Sequence, residues 1–327
     1  MDSNVSRVVP GDSPSGTALA LVTGSRGQDG SYLRDLLGPG KSVGCVNPLN
    51  RGSFDPAKNE VAIDLGEKSA VLELLTEIRP KFIFHLAAKH GPSSEMTFFK
   101  EDIDAMRRIH IDSTRNLLEA IDSLGLDTHL VVAGSSRVFS PKEHRTRISE
   151  TSTPSPADFY GESKLAAWDL VKEHRRENGA KASFLILFNH ESPRRPKGYF
   201  SQDVSHAIQS YLAGGVDQVT VRDSEAFGDW SDARDVVKLM ASVALSPEGN
   251  DFIVGSGSLR SVRDIVESTL KLLGVSDAPV VSKQNGDKSK KSYSLEADNS
   301  KSLEHGHWDP KVLIEETIAE MVALGLK

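Results

Sequence analysis

The stretch that most constrains the fold is an apolar run followed by a turn with three evenly spaced glycines. Residues 18–22 are uninterrupted apolar residues, as expected for a strand buried on both faces of a parallel sheet. Gly24, Gly27 and Gly30 then allow a tight turn, close approach of the backbone to a pyrophosphate and close packing of the next helix. Because amides at a helix N-terminus attract anions, this segment predicts a strand–turn–helix unit that binds a dinucleotide.

Strand and helix patterns alternate through much of the chain. Such alternation predicts a doubly wound, parallel α/β sheet of the Rossmann type with right-handed crossovers. The predicted strands are 18–22, 42–46, 61–65, 81–88, 129–134 and 183–188, and the predicted helices include 71–78, 99–122 and 160–176. Ligands of such sheets bind at the carboxyl ends of the strands. We therefore expect Gly24, Asp64, Ala87, Ser135 and Asn189, which end or follow strands, to share one edge.

The pattern loosens after residue 189, where proline, glycine and charged residues become more frequent. A helix over 232–244 and a strand over 251–255 are expected to return to the sheet. We therefore predict three parts. Residues 1–16 form a flexible tail, residues 17–189 with 228–255 form a dinucleotide-binding Rossmann domain, and residues 190–227 with 256–327 form a smaller substrate-binding lobe.

Composition narrows the classes of function. The net charge of −7 offers no basic surface for nucleic acid. No apolar stretch approaches the roughly 20 residues of a membrane span, and the first 16 residues lack the apolar core of a signal peptide. The single cysteine, Cys45, excludes an internal disulfide and favours the reducing cytoplasm. His305 and His307 lack the cysteine or carboxylate cluster that would favour a metal site, so no metal is predicted.

Tyr160 and Lys164 are the candidate catalytic residues. A helix brings positions i and i+4 onto one face, so Lys164 can lie beneath Tyr160 and favour the ionised phenol. The pKa of a phenol is ordinarily about 10, and lowering it makes the group a usable acid/base near neutrality. The predicted dinucleotide turn upstream makes this interpretation more specific than the spacing alone.

Several stretches resemble the GDP-mannose 4,6-dehydratase family of the extended short-chain dehydrogenase/reductase superfamily. They are Thr23–Leu33, the string Leu-Phe-Asn-His-Glu-Ser-Pro-Arg-Arg at 187–195, Asp229-Trp230 with 233–235, and 261–264. The resemblance spans roughly residues 17–275. It implies a nicotinamide cofactor, a nucleotide-sugar substrate that is GDP-linked, and a homo-oligomer, either a dimer or a tetramer.

The resemblance assigns roles residue by residue. The implied catalytic residues are Ser135, at the position of a catalytic threonine, with Tyr160 and Lys164. The implied cofactor contacts are Gly24, Arg26, Gly27, Gln28, Asp29, Gly30, Arg51, Asp64, Leu65, Leu86, Ala87 and Ala88, together with Tyr160 and Lys164. The implied substrate contacts are Ser136, Arg137, Asn189, Glu191, Arg194, Arg195 and Arg234.

The chain departs from the family at Arg137. The dehydratases read Thr-Ser-Glu where this chain reads Ser135-Ser136-Arg137, and their glutamate is the acid/base that removes water across C5 and C6. Arginine cannot transfer protons near neutral pH, because its pKa exceeds about 12. The machinery for oxidation or reduction at C4 is thus retained and that for elimination is lost. Arg137 either binds a carboxylate or phosphate or is solvated.

The cofactor prediction rests on the end of the second strand. The dehydratases carry paired arginines there for the 2′-phosphate of NADP, and this chain reads Asn47-Pro48, with Arg51 slightly later. No acidic residue ends the strand, as NAD binding would favour. We therefore expect NADP(H) rather than NAD(H).

The leading hypothesis is a 4-keto reductase. Three alternatives stay open: a 4-dehydrogenase or 4-epimerase, a dehydratase that uses another acid such as Glu162 or Glu191, and a non-catalytic relative that binds a nucleotide sugar.

Overall fold

The computed structural model describes residues 19–48, 59–89, 99–142, 145–275, 277–283 and 294–326. The predicted tail over 1–16 and Arg51 lie outside these ranges. The described strands are β1 (Ala20–Thr23), β2 (Ser42–Val46), β3 (Glu60–Ala62), β4 (Phe82–His85), β5 (His129–Ala133), β6 (Arg145–Ile148), β7 (Ala182–Leu187), β8 (Asn189–Glu191), β9 (Val219–Val221), β10 (Phe227–Asp232), β11 (Phe252–Val254), β12 (Leu259–Ser261), β13 (Val280–Ser282) and β14 (Ser294–Ala297).

The described α-helices alternate with these strands. They are α1 (Gln28–Leu37), α2 (Lys68–Ile78), α3 (Lys100–Met106), α4 (Ser113–Ser123), α5 (Phe159–Asn178), α6 (Phe200–Leu212), α7 (Ala233–Ala244), α8 (Val262–Leu272), α9 (Ser300–Glu304) and α10 (Ile314–Gly325). None of the described helices is long and apolar enough to span a membrane.

The central sheet has seven strands in the order β11-β7-β5-β4-β1-β2-β3, and every pair is parallel. This order, which runs outward in both directions from β1 and β4, confirms the predicted doubly wound α/β fold. Strands β3 and β4 each end three residues earlier than predicted. After β3, Asp64 accepts the amide hydrogen of Gly66 at 2.9 Å and turns the chain. After β4, the amides of Leu86 and Ala87 donate to Thr23 Oγ1, at 3.1 Å each, instead of extending the sheet.

Both faces of the sheet are covered, which explains the continuous apolar run at β1. Leu21 packs with Leu117 of α4 and Trp168 of α5 in one core. Ala20 and Val22 pack on the other face, with helices α1 and α7. Successive side chains of a strand point to opposite faces, so a strand buried on both sides has no polar position.

A smaller lobe includes the last described helix, α10. Helices α6, α8 and α10 pack with β9 and β13 around a separate apolar core. Strand β10, within the predicted Rossmann segment 228–255, pairs with β8 and β12, whereas α7 and β11 pack on the central sheet. The domain boundaries themselves stay a prediction.

The helix predicted over 99–122 is interrupted. A π-helical turn at Arg107–Asp112 separates α3 from α4. The amide of Ser113 bonds to the carbonyl of Arg108, one residue further back than in an α-helix. This leaves the carbonyl of Ile109 to accept from the side-chain hydroxyl of Ser113. The apolar spacing continues through the turn, so periodicity alone did not reveal it.

The close packing of α1 on its own turn gives a testable prediction. A Cβ at Gly30 would lie 2.8 Å from Cα of Ser25 and closer still to the carbonyl oxygen of Gly24. Both neighbours are backbone atoms, which cannot rotate away. We expect Gly30→Ala to lower the free energy of unfolding by about 1–3 kcal/mol in urea denaturation.

Gly215→Ala is the matched control, because a Cβ there would meet its nearest neighbour at 3.4 Å, an ordinary contact. It should change the free energy of unfolding by less than about 0.5 kcal/mol. Equal losses in the two variants would show that crowding at Gly30 is not the cause.

Candidate active site

A cleft of about 1420 Å³ opens at the carboxyl edge of the central sheet. One wall is formed by the segments that follow β4, β5 and β7, and the other by the lobe, including α6 and β9. Of the five residues expected to share this edge, Ser135 and Asn189 line the cleft, whereas Gly24, Asp64 and Ala87 do not. The predicted residues that line the cleft are Asp29, Leu86, Ala88, Ser135, Ser136, Arg137, Tyr160, Lys164, Asn189, Glu191 and Arg195.

The glycine turn is built for contact through its backbone. Gly24 has a φ of +66°, in the left-handed region, and a Cβ there would lie 2.8 Å from the amide nitrogen of Ala87. Helix α1 begins directly after Gly27, which has no side chain to cap the first amides. An uncapped helix N-terminus against a glycine turn with no room for side chains fits the diphosphate of a dinucleotide.

Gln28 and Asp29 join this turn to β8. Gln28 Nε2 donates to the carbonyl of His190 at 3.2 Å, and its Oε1 accepts from Ser192 Oγ at 2.8 Å. Asp29 pairs with His190 Nε2 at 3.0 Å. Burial alone would raise the pKa of Asp29, but the charge and hydrogen bond of His190 lower it. The pKa of His190 is raised, because Asp29 outweighs the effect of burial.

The predicted contacts on the adenosine side already have protein partners. Arg26 forms an ion pair with Glu60 at 2.6 Å, and Asp64 forms one with Arg108 at 2.9 Å. Leu65 is buried in the core. Their contacts with a cofactor stay a prediction.

The three candidate catalytic residues meet beyond the end of β5. Ser135 begins a 3₁₀ turn (Ser136–Val138), and its hydroxyl is hydrogen-bonded to Tyr160. Tyr160 lies in the first turn of α5, which Asp158 caps by accepting the amide hydrogen of Gly161 at 2.9 Å. Lys164 is buried, and its Nζ donates to the carbonyl of Ala133 at 2.8 Å.

The electrostatics at Tyr160 differ from the sequence-based expectation. Burial raises the pKa of the phenol, whereas the hydrogen bond from Ser135 and the charges of Arg137 and Arg195 lower it, and the net direction is upward. The expectation of a lowered pKa is wrong for this arrangement: Lys164, whose Nζ lies 6.0 Å from the ring centroid and bonds to a carbonyl, does not bring the pKa of Tyr160 below its ordinary value. Burial lowers the pKa of Lys164 itself to about 8.

Arg137 lies beside the phenol. Its guanidinium forms an ion pair with Asp158, and its Cζ is 5.3 Å from the centroid of the Tyr160 ring. The backbone is also close, because a Cβ on Gly161 would collide with the Arg137 carbonyl. Arg137 is therefore anchored to the first turn of α5 and is more than a solvated side chain.

Glu191 and Arg195 form a second charged group in the cleft. Glu191 is buried, accepts from Ser201 Oγ at 2.5 Å and lies 3.4 Å from Arg195 Nε. Burial raises the pKa of Glu191 even though Arg195 lowers it. The guanidinium of Arg195 also lies 4.1 Å from the ring centroid of Tyr199.

Two predicted substrate contacts lie elsewhere. Arg194 turns back onto α1, where it pairs with Asp35 at 2.6 Å and lies 3.9 Å from the ring centroid of Tyr32. Arg234 is held at the start of α7 by Asp232 and by Glu320, each at 2.8 Å. Neither lines the cleft, and the physical reason is that each already has acidic partners on the protein's own helices.

Sequence reasoning missed the lobe side of the cleft. Three exposed basic residues, Lys197, Arg222 and Lys283, line it there. Phe200 and Trp230 line it as well, with ring centroids 4.6 Å apart and nearly parallel. Lys197 and Phe200 lie two and five residues after the string at 187–195, so they could have been included among the predicted substrate contacts. Arg222 and Lys283 lie in segments without a distinguishing pattern.

Metal-binding geometry is absent from the described part of the chain, where no cluster of three or more His, Cys, Asp or Glu side chains could hold an ion. His307 instead bonds to two serines of the α7 region, Ser242 at 2.8 Å and Ser246 at 3.2 Å.

Comparison with known proteins agrees with this architecture. The UDP-glucose 4-epimerase of Thermus thermophilus, solved with NAD, is 26% identical with a TM-score of 0.73, and the match covers 93% of this chain and 97% of that one. RMD from Pseudomonas aeruginosa, solved with NADPH, shares the fold, with 19% identity, a TM-score of 0.72 and coverage of 93% and 98%. The GDP-mannose 4,6-dehydratase of Vibrio cholerae is 28% identical, and 94% of each sequence is covered. Since the model of the family described as GDP-mannose 4,6 dehydratase matches residues 21–321, this chain belongs to that family.

Proposed function

We propose that the protein is an NAD(P)-dependent nucleotide-sugar oxidoreductase that acts at C4 of a GDP-linked hexose and reduces a 4-keto group. The observation that carries the proposal is the pairing of Arg137 with Asp158 beside a complete Ser135–Tyr160–Lys164 group. The family resemblance puts the dehydratase glutamate at this position. Reduction at C4 needs the three retained residues, and the loss of water needs an acid/base that Arg137 cannot supply.

The cofactor would lie along the glycine turn, with Leu86 and Ala88 at its nicotinamide end. A reduced nicotinamide, when bound, supplies hydride chemistry. NADP(H) is favoured over NAD(H) because β2 continues into Asn47-Pro48 and not into an acidic residue. Among the similar solved structures, the epimerase was solved with NAD and RMD with NADPH.

Tyr160 suits the role of proton donor. Its raised pKa keeps the buried phenol protonated near neutrality, as donation to the oxygen of a 4-keto group requires. Ser135 is hydrogen-bonded to the same phenol and fixes the direction in which the phenol points towards a substrate oxygen. After donation, the charges of Arg137 and Arg195 favour the phenolate. The residues therefore support both the start and the end of one proton transfer.

The basic residues of the lobe suit the substrate's diphosphate. Arg195, Lys197, Arg222 and Lys283 all line the cleft away from the central sheet. An arginine binds phosphate oxygens with two parallel N–H groups, and lysines contribute point charges. The stacked Phe200–Trp230 pair gives the same region an apolar surface suited to a base or sugar face.

A second candidate function is supported by Glu191. It lines the cleft, is buried, and has a raised pKa, as an acid in an elimination would require. Glu162, the other acid considered from the sequence, is exposed and does not line the cleft. A dehydratase that uses Glu191 is therefore the main alternative.

Product analysis separates the two functions. We expect a GDP-4-keto-6-deoxyhexose with NADPH to be reduced, so that the sugar gains the mass of two hydrogens by mass spectrometry. GDP-mannose with NADP⁺ should lose no water, because Arg137 cannot serve as the acid/base. Loss of water at an ordinary turnover rate, abolished by Glu191→Gln and retained in Glu162→Gln, would establish the dehydratase instead.

Tyr160→Phe tests the proton donor. The variant should lower kcat by about 10²–10⁴-fold, the range for loss of a general acid/base. Its affinity for NADPH should change little, since the substitution leaves the glycine turn and Lys164 in place. Steady-state kinetics and fluorescence titration measure the two effects. A variant that kept more than about a tenth of wild-type kcat would exclude Tyr160 as the donor.

Arg195 and Arg194 form a matched pair of variants, because they are neighbours in sequence but face different parts of the protein. We expect Arg195→Ala to weaken GDP-sugar binding by about 1.5–3 kcal/mol, the range for hydrogen bonds to charged groups. Arg194→Ala should leave it within about 0.5 kcal/mol, because that side chain lies on α1. Calorimetric titration with GDP-mannose measures the binding free energy of each variant. Equal losses of binding free energy in the two variants would contradict the assignment of Arg195 to the substrate.

A further inference from the structure

We propose that His110 is a positioning residue that couples the cofactor loop, defined as Leu86–Lys89, to the catalytic turn of α5. The part concerning catalysis rests on the proposed function, in which Tyr160 is the proton donor. His110 lies in the π turn, is 1% exposed, and has polar contacts on both sides of its ring.

The hydrogen bonds fix where the imidazole carries its proton. The amide of Lys89 donates to Nε2 of His110 at 3.2 Å, so Nε2 is the unprotonated nitrogen. Nδ1 lies 2.8 Å from Ser163 Oγ, whose own hydrogen is donated to the carbonyl of Tyr160 at 2.8 Å. Ser163 must therefore accept from Nδ1–H. The ring is neutral and is protonated on Nδ1, which gives a continuous chain from Lys89 to the backbone of Tyr160.

A second histidine supports the other end of the loop with the opposite tautomer. Thr23 Oγ1 accepts the amides of Leu86 and Ala87, so its hydroxyl donates to His85 Nδ1 at 2.8 Å. Nε2 of His85 then carries the proton and faces Ser113 Oγ at 2.9 Å. Burial and the charge of Lys164 lower the pKa of His85 to about 3, which keeps it neutral.

The π turn makes both arrangements possible. It leaves the carbonyl of Ile109 to accept the hydroxyl of Ser113, which faces His85. It also directs the next side chain, His110, towards α5. The ring of His110 meets that of Tyr160 edge-on, with centroids 5.4 Å apart and an interplanar angle of 89°. The loop that lines the nicotinamide end is thus held by Thr23 at its start and by His110 at its end.

The tautomers provide a test that needs no substrate. In long-range ¹H–¹⁵N spectra of the protein labelled at histidine, we expect His110 as the neutral Nδ1–H form and His85 as the neutral Nε2–H form. Signals are assigned by their loss in His110→Asn and in His85→Asn. A protonated His110, or one carrying its hydrogen on Nε2, would overturn the proposal.

Two substitutions separate the bonds of His110. Asparagine places an amide near the position of Nδ1 and can donate to Ser163, but it does not reach Lys89. Glutamine reaches the position of Nε2 and can accept from Lys89, but it leaves Ser163. We expect His110→Asn to raise the Kd for NADPH about tenfold, a change of about 1.4 kcal/mol. We expect His110→Gln to keep that Kd within about twofold while lowering kcat about tenfold.

His129→Gln is the control, because His129, at the start of β5, is also buried but bonds to Ser183 of β7, away from the cleft. It should leave the Kd for NADPH unchanged. Equal increases in Kd for the Asn and Gln variants, or an increase with His129→Gln as well, would show a structural role only. A wild-type protein that binds NADPH but reduces no 4-keto sugar would contradict the proposed function, while the Kd pattern and the tautomers would still decide the role of His110.

Discussion

The site depends first on the ion pair between Asp29 and His190. Asp29 belongs to the first turn of α1 and His190 to β8, so the pair joins the glycine turn to the strand that leads into the lobe. Their side chains are only 17% and 13% exposed. Breaking a buried pair by removing one partner leaves an uncompensated charge, which costs far more than the pair itself contributes. Gln28 reinforces the joint through His190 and Ser192.

The Asp29–His190 pair also determines where the proposed substrate-binding residues can lie. Glu191 follows His190 directly, and its bond to Ser201 continues the connection into α6. Arg195 is held against Glu191 and Tyr199, which directs it into the cleft. The proposed nucleotide-sugar side of the site is therefore placed relative to the glycine turn by a few buried polar contacts, and the large apolar cores lie behind it on the sheet and in the lobe.

The sequence predicted those parts that depend on backbone pattern. The apolar run of β1, the glycine spacing and the position of Ser135 after β5 follow from strand burial and from the rule that ligands meet the carboxyl edge. The sequence could not predict which partners the long charged side chains contact. Arg194 and Arg195 are adjacent, yet Asp35 holds one on α1 and Glu191 holds the other in the cleft. The π turn escaped prediction for a related reason, since one extra residue per turn changes hydrogen bonding without removing apolar positions.

Under the proposed function, the arrangement around Tyr160 would let one fold exchange elimination for reduction. Elimination needs a second group that gains and loses a proton, whereas reduction needs one donor and a stabilised conjugate base. In this proposal Arg137 stands where the family's glutamate would carry the second proton, and its permanent positive charge lies beside the phenol. Asp158 caps α5, the helix that carries Tyr160, and it also pairs with Arg137. One carboxylate therefore holds both the helix and the cation that favours the phenolate. Burial holds the pKa of Tyr160 high before transfer, and the neighbouring cations limit the cost of the charge that transfer creates.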